Sequence, residues 1–341
     1  MQPDFNRLLA VLRREPVEKA VLFEFIIDEK YQQHFAGPEI CRQQDDLGLI
    51  RISMHAFYRA GYDYCIISPW RAGFMTFTTA DIHKLNTISL NDSVLITDWD
   101  SFERYPWPVP GNYDYGKIER LGKEMPDGMK FIVSGYGGIL ETAISLTGFE
   151  NLCIMALTDE ALTAAIFNEI GKCFYEYYHI VGRFTEVGAL IQNDDWGFKT
   201  QTMLSPDLMA KYVFPWHRKI NALIHSMGKP AILHSCGNLS EVMDVIIDDL
   251  GYDGKHSFED VIMPVEEAYE QWGRRIAILG GIDVNFLATA TPDEIFTRTC
   301  KLIEQTSGHG GYAVGSGNSI TSYVPFTNYM AMLEAARQLL P

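Results

Sequence analysis

The stretch Ala231–Asn238, AILHSCGN, shows the pattern from which the fold class is predicted. A short apolar run, typical of a strand covered on both faces, ends in polar residues and is followed by a helix pattern. Seven other segments are also predicted strands, and most of them are continuous apolar runs, with GKHS at 254–257 the weakest example. They are 21–27, 63–67, 130–134, 188–193, 254–257, 276–281 and 311–315, and the strand within the quoted stretch covers 231–235. Eight strands alternating with helices predict an α/β fold, a single-domain (β/α)8 TIM-type barrel spanning residues 1–341.

Helix start signals support the alternation. Ser205-Pro206 precedes a predicted helix that runs to about Met227, and Thr291-Pro292 precedes one that runs to about Gln305. A Ser or Thr cap followed by proline satisfies free N–H groups and presets the first helical φ. A third helix is expected from Asn238 or Ser240 through EVMDVIIDDL. The segment near 97–117 departs from this rhythm because it is rich in proline and aromatic residues, and it is interpreted either as a lid or as a crossover packed on the barrel wall.

Composition limits the function classes. The chain of 341 residues is 47% hydrophobic and 21% charged, with a formal net charge of −16. Such a charge opposes binding to nucleic acid and to anionic membranes. No stretch approaches the roughly 18 uncharged apolar residues that a membrane helix needs, and the first residues have no signal-peptide core. Six scattered cysteines without a C-x-x-C pair argue against a disulfide framework, so a soluble cytoplasmic protein is expected.

Titratable residues follow nearly every predicted strand, where barrel enzymes place their working groups. The sharpest signal is His234-x-Cys236, because an imidazole and a thiolate two residues apart at a strand end can bind one Zn²⁺. The alternative is a histidine bonded to backbone beside a buried thiol. Oxygen ligands are expected from Glu259, Asp195 or Asp283 at neighbouring strand ends.

The remaining candidates are acidic, aromatic or amide side chains at other strand ends. Only one of Asp194 and Asp195 can face the interior of a continuing strand, and burial against Trp196 would raise a carboxyl pKa and suit proton donation. His256 and Glu259 are interpreted as a base and a ligand, or as a structural hydrogen-bonded turn. Catalytic roles are predicted for Asp195, Glu259 and His256, metal binding for His234, Cys236 and Glu259, and substrate contacts for Glu24, Asp194, Trp196, Asp283 and Asn318. A substrate contact of Tyr136 is added by the resemblance described below.

The sequence contains no nicotinamide or flavin fingerprint and no P-loop. Residues 134–138 and 315–319 are glycine-rich but lack the G-x-G-x-x-G spacing of a dinucleotide site and the Gly-Lys-Ser/Thr ending of a P-loop.

Six segments together resemble the uroporphyrinogen decarboxylase superfamily over nearly the whole chain. They are VLFEFIIDEK, SGYGGILETAISLTGFENL, NDDWGFKTQTMLSP, HSCGNL, GGIDV and GSGNSITSYVPFTNYMAMLEAAR. The resemblance implies a (β/α)8 barrel and one of two activities, tetrapyrrole decarboxylation or cobamide-dependent methyl transfer.

The decarboxylase branch is matched poorly. Its arginine-containing segment falls near Phe25–Gln32, which here reads FIIDEKYQ, and its aspartate after the second strand is missing near Ile67–Trp70. The methyltransferase branch holds zinc with H-x-C and a later cysteine. His234 and Cys236 match the first two ligands, whereas the third falls near Asn318, so the resemblance requires a carboxylate such as Glu259 or Asp195 in its place.

This comparison favours a corrinoid-dependent methyltransferase of the demethylation type, acting on a small methoxylated or methylated compound, aromatic ones included. Asp81-Ile82-His83 is followed by Asn86 where the cobalamin-binding pattern needs glycine, so the corrinoid is expected on a partner protein. A homodimer is a further expectation. The alternatives are a decarboxylase of another substrate and a non-catalytic ligand-binding barrel.

Overall fold

A computed structural model describes residues 2–43, 45–79, 90, 91 and 94–338. Within these ranges one curled sheet has seven strands, all parallel and arranged in sequence order. The strands are β1 (Tyr64–Ile67), β2 (Lys130–Ser134), β3 (Val187–Asn193), β4 (Ala231–His234), β5 (Gly254–His256), β6 (Ala277–Leu279) and β7 (Tyr312–Ala313). The predicted α/β class and seven of the predicted strands are confirmed, whereas a closed barrel is not shown. The stretch 81–86 lies outside the described residues.

Helices connect and cover the strands. In the same ranges they are α1 (Phe5–Leu12), α2 (Glu29–Cys41), α3 (Gly48–Ala60), α4 (Pro69–Ala72), α5 (Trp99–Arg104), α6 (Lys117–Gly122), α7 (Ile139–Thr147), α8 (Phe149–Thr158), α9 (Glu160–Val181), α10 (Pro206–Leu208), α11 (Phe214–Ser226), α12 (Val265–Trp272), α13 (Val284–Thr289), α14 (Pro292–Thr306) and α15 (Phe326–Gln338). Both faces of the strands are apolar and buried. The helices cover one face, and the other face lies on the inner side of the curled sheet.

The eighth predicted strand, residues 21–27, is not a regular strand. It lies beside β7 through isolated parallel bridges from Leu22 to Val314 and from Ile27 to Ile320. On its other side, the Tyr64 hydroxyl of β1 accepts a hydrogen bond from the Glu24 N–H at 2.6 Å and donates one to the Glu24 carbonyl oxygen at 2.9 Å. A phenol therefore satisfies backbone groups that a strand ladder would otherwise pair.

Two predicted helices are confirmed in place, and a third has a different form. α14 begins with a capping box in which Thr291 and Glu294 bond to each other's backbone N–H groups. α10, a π-helical segment at Met209–Val213 and α11 fill the stretch predicted from Pro206 onward. The segment after Asn238 forms a 3₁₀ turn at Ser240–Val242 and a π-helical segment at Val245–Asp249.

The proline-rich segment near 97–117 contains α5 and a 3₁₀ turn at Pro110–Asn112. Its Tyr115 is buried, and the Tyr115 ring centroid lies 4.9 Å from that of Phe74 and 5.9 Å from that of Tyr177 in α9. These contacts fit the interpretation of a crossover packed on the wall.

No single helix among the described residues is both long enough and apolar enough to cross a membrane. α7 and α8 have that length and composition only when taken together, and they are bent by 96° relative to each other.

The strand register brings the candidate residues level with one another. Asn193 of β3 pairs with His234 of β4, and His234 pairs with His256 of β5. Because parallel strands end at the same edge of the sheet, the residues that follow these three strands meet there.

Candidate metal centre

Three potential ligand atoms converge at this edge. One atom each from Asp195, His234 and Cys236 lies within 4.8 Å of the other two. The Cys236 Sγ is 3.9 Å from His234 Nε2, and the Cys236 N–H donates to Asp195 Oδ1 at 2.8 Å. The predicted His234–Cys236 pairing is therefore present in space. Asp195, rather than Glu259, is the carboxylate in this group of three.

Two glycines let the ligand loops approach each other. Gly237 has φ of 85°, and a Cβ built there would lie 2.1 Å from the carbonyl oxygen of Gly197. Only glycine tolerates both this backbone conformation and this distance. The loop after β4 thus packs directly on the loop after β3, which brings Cys236 to Asp195.

Two neighbouring groups donate hydrogen bonds to the Cys236 sulfur. The Asn318 amide nitrogen lies 3.2 Å from Sγ, and the Ser257 hydroxyl lies 3.4 Å from it. Hydrogen bonds to the charged form favour a thiolate over a thiol. Asn318, at the position where the resemblance places a third cysteine, contacts the sulfur as a donor.

A pair of histidines sets the orientation of the His234 ring. His234 Nδ1 and His256 Nδ1 are 2.7 Å apart, and His256 Nε2 lies 3.3 Å from the carbonyl oxygen of Ser316. A carbonyl only accepts, so His256 carries its proton on Nε2 and its Nδ1 accepts from His234 Nδ1–H. The His234 Nε2 lone pair is then left facing Cys236. Phe25 stacks on the His234 ring at a centroid distance of 4.3 Å.

Burial dominates the electrostatics of the site. It lowers the pKa of His256 to about 3 and the pKa of His234 well below its usual value, so both rings are neutral. Burial also raises the pKa of Cys236 to about 12 and raises the pKa of Asp195. Neutral imidazoles are ready to bind a metal, while the thiol must lose a proton to do so.

Glu24, a predicted substrate contact, lies fully buried beneath the site. Its carboxylate accepts from the Ser316 N–H at 3.1 Å and from the Ser316 hydroxyl at 2.6 Å. Burial raises the pKa of Glu24 to about 8, although the hydrogen bonds from Ser316 lower it in part. Glu24 thus fixes the position of Ser316 by hydrogen bonds, and the Ser316 carbonyl accepts a hydrogen bond from His256. A direct contact with substrate stays a prediction.

Asp194 and Trp196 point away from the three ligand atoms. The Asp194 carboxylate accepts from Leu140 N–H and Glu141 N–H at the start of α7 and bonds to His217 Nε2 at 2.9 Å. Trp196 is fully buried with its ring edge-on to His217, at a centroid distance of 4.8 Å. Both residues fix the wall of the site in this structure, and their predicted substrate contacts remain untested.

The other predicted residues surround the mouth. Asp283 caps α13 by accepting from Phe286 N–H at 3.0 Å. Glu259 and Asn318 line a cleft of about 700 Å³ that opens beside the ligand group. Tyr136 is half-buried on the loop after β2. Their predicted roles in binding or catalysis stay predictions.

Sequence reasoning missed three residues at this site. Ser257 bonds to the sulfur from a backbone with φ of 87°, Lys255 is buried behind it, and Glu141 lies beside Asp194 and Asp195. Burial and these two aspartates raise the pKa of Glu141 well above its usual value. A lysine inside the short predicted strand GKHS was a usable signal for Lys255, whereas the other two are ordinary loop and helix residues in the sequence.

Comparisons with known proteins agree with the fold. The model of the uroporphyrinogen decarboxylase (URO-D) family matches residues 5–339. A search of curated proteins gave no match.

Among solved structures, a methyltransferase from Methanosarcina mazei is similar at 16% identity, with 100% of both chains covered and a TM-score of 0.71, which shows a shared fold. A GH27 β-L-arabinopyranosidase from Geobacillus stearothermophilus gives a TM-score of only 0.38 at 11% identity, over 94% of this chain and 77% of that one, and supports no argument. Since the family model spans nearly the whole sequence, the expected resemblance is confirmed, and the chain belongs to the uroporphyrinogen decarboxylase (URO-D) family.

Proposed function

We propose that this protein is a corrinoid-dependent methyltransferase that moves a methyl group between a small methoxylated or methylated compound and a corrinoid carried on a partner protein. One observation carries the proposal: Asp195, His234 and Cys236 place a carboxylate oxygen, an imidazole nitrogen and a sulfur within 4.8 Å of one another. The fold shared with a Methanosarcina mazei methyltransferase agrees with it.

The donor set fits Zn²⁺. Catalytic zinc sites use three protein ligands of nitrogen, sulfur and oxygen type and leave one position open. A zinc ion here would supply a Lewis acid at the heteroatom that bears or receives the methyl group. His256 supports this fit, because metal-binding histidines usually donate their other ring N–H to a fixed partner.

The chain's own residues prepare the reaction in three ways. Asn318 and Ser257 stabilise the sulfur through hydrogen bonds, His256 orients His234, and the stacked Phe25 ring keeps water from one face of His234. The adjoining cleft of about 700 Å³ is large enough for a small methoxylated compound, which we expect to approach from the Asn318 side.

The metal is tested by emission spectroscopy on protein purified without added metal. About one equivalent of zinc is expected, and Cys236→Ser and Asp195→Asn should each lose most of it because each removes a ligand. Cys173→Ser is the matched control, since Cys173 is also a largely buried thiol but lies in α9. Zinc below a tenth of an equivalent, or equal content in Cys236→Ser, contradicts the zinc site.

The transfer itself is tested with a Co(I) corrinoid protein and a panel of methoxyarenes and methylated amines. Methylation of cobalt should appear in its absorption spectrum and should fail with Cys236→Ser. Release of CO₂ from a carboxylated substrate without methylation would favour the decarboxylase alternative. Ligand binding with neither reaction would favour a non-catalytic barrel.

A further inference from the structure

Lys255 is an unusual residue for the interior of this protein. It lies in β5 between Gly254 and His256 and is only 3% exposed. Since neighbouring residues of a strand point to opposite faces, Lys255 lies on the face opposite His256. Lysines are almost never fully buried without a partner. The catalytic scheme above gives this ammonium group no role.

The Lys255 ammonium binds two backbone carbonyls and one aromatic face. Its Nζ lies 3.4 Å from the carbonyl oxygen of Ser235 and also donates to the carbonyl of Ser257. The same Nζ lies 4.1 Å from the ring centroid of Phe258. No carboxylate comes within 4.0 Å of it in the part of the chain that the structure describes. The residue thus connects loops instead of forming an ion pair.

Both carbonyls belong to residues that adjoin the ligand group. Ser235 separates His234 from Cys236 in the sequence. Ser257 donates to Cys236 Sγ from a backbone with φ of 87°, which is uncommon for a residue other than glycine. Such strain persists only where the surroundings enforce it. The hydrogen bonds from Lys255 to the carbonyls of Ser235 and Ser257 can keep the Ser257 backbone in this conformation.

We propose that Lys255 is a positioning residue for the metal centre, which clamps the carbonyls of Ser235 and Ser257 and thereby holds the Cys236 sulfur against His234 and Asp195. This inference rests on the proposed function, because it assigns Lys255 a task only if the three ligands bind a metal. Burial lowers the pKa of Lys255 to about 8, and Cys236, Asp195 and Glu259 oppose this effect, so the group is mostly protonated at pH 7.

Two opposite effects on metal affinity distinguish a clamp from a mere nearby charge. A positive charge repels a metal ion, so its removal by itself would tighten binding. Loss of the clamp displaces the sulfur, so its removal should weaken binding. Changes to residues that orient metal ligands typically cost about 10–100-fold in affinity. The sign of the change therefore decides the role.

The experiment is a Co²⁺ titration of the full chain, followed by the thiolate-to-cobalt absorption band. Lys255→Met should bind Co²⁺ about 10–100-fold more weakly with a weaker band per bound ion, and Lys255→Arg, which keeps the donors, should recover part of both. Lys229→Met is the matched control, because Lys229 is partly buried and, like Lys255, donates to a backbone carbonyl, that of Phe184 at 2.6 Å, but at the opposite end of the sheet. It should behave like the wild type.

The possible results separate the two hypotheses. Wild-type protein that gives no thiolate band contradicts the metal centre and with it the proposed function. A normal wild-type band with equal or tighter binding in Lys255→Met overturns the clamp alone. If Lys255→Met does not fold, Ser257→Ala decides, since it removes only the hydroxyl that the clamp presents to the sulfur. An unchanged band in Ser257→Ala then overturns the inference.

Discussion

Replacement of Glu24 by glutamine should change how the stability of the protein depends on pH. Glu24 is fully buried, and its carboxyl oxygens accept hydrogen bonds from the N–H and the hydroxyl of Ser316. Glutamine has the same shape, accepts from the Ser316 N–H with its oxygen and donates to the Ser316 hydroxyl with its amide. The variant therefore keeps the contacts and removes only the titration.

The magnitude follows from the pKa in each state. Burial raises the pKa of Glu24 from 4.5 to about 8 in the folded protein. Between these values the folded state holds a proton that the unfolded state has lost, so wild-type stability falls as pH rises through this window. The slope is at most about 1.4 kcal/mol per pH unit, and the whole shift corresponds to about 5 kcal/mol. Below pH 4.5 the effect disappears.

The assay is thermal and urea unfolding of wild type and Glu24→Gln from pH 4.5 to 9. Relative to the wild type, Glu24→Gln should become steadily more stable as pH rises to about 8 and then level off. Glu304→Gln, an exposed glutamate of α14, is the control and should give no trend. Parallel pH profiles for wild type and Glu24→Gln would refute the protonated, buried carboxyl.

Three other predictions follow from the structure. Gly315→Ala should destabilise the protein by more than about 3 kcal/mol in urea unfolding, because a Cβ there would lie 1.6 Å from the carbonyl oxygen of Phe23. The control Gly228→Ala, whose Cβ would have nothing within 4 Å, should cost only about 1 kcal/mol. Equal losses of stability in the two variants would contradict this packing. Asp194→Ala should cost about 3–5 kcal/mol because it leaves the buried Leu140 N–H, Glu141 N–H and His217 ring without their hydrogen-bond partner, whereas Asp100→Ala at an exposed ion pair should leave the melting temperature unchanged. Zinc binding at pH 8 should release about one proton per ion, measured with an indicator dye in weak buffer, since burial raises the pKa of Cys236 to about 12; zinc binding without proton release would contradict a Cys236 thiol that is protonated before the metal binds.

Much of the architecture could be predicted because its signals are local. Apolar runs and helix caps act over a few residues, so seven strands and the Thr291 cap of α14 were found correctly. The failure at residues 21–27 has a tertiary cause. These residues look like a strand, but the Tyr64 hydroxyl takes the backbone groups of Glu24 that would join a ladder.

The site was predicted in part for the same reason. His234 and Cys236 are two residues apart, so their pairing can be read along one strand end. The choice between Asp195 and Glu259 depended on how three loops pack, and no spacing in the sequence encodes it. Asp194 and Asp195 illustrate the limit: they are adjacent, yet one caps α7 and bonds to His217, while the other accepts from Cys236 N–H.

The α/β class, the order of the parallel strands, the family and the H-x-C pair can be read from the sequence, because each is set by side-chain periodicity or by neighbours in the chain. The position of Asp195 beside that pair, the orientation of His234 by His256 and the location of Lys255 behind Cys236 depend on tertiary packing. These contacts join residues that are between 20 and 41 positions apart in the sequence. The contact between Asp195 and Cys236 also depends on the close backbone packing of Gly197 on Gly237. Packing of that kind is settled by the whole fold at once, since each loop is held by its neighbours.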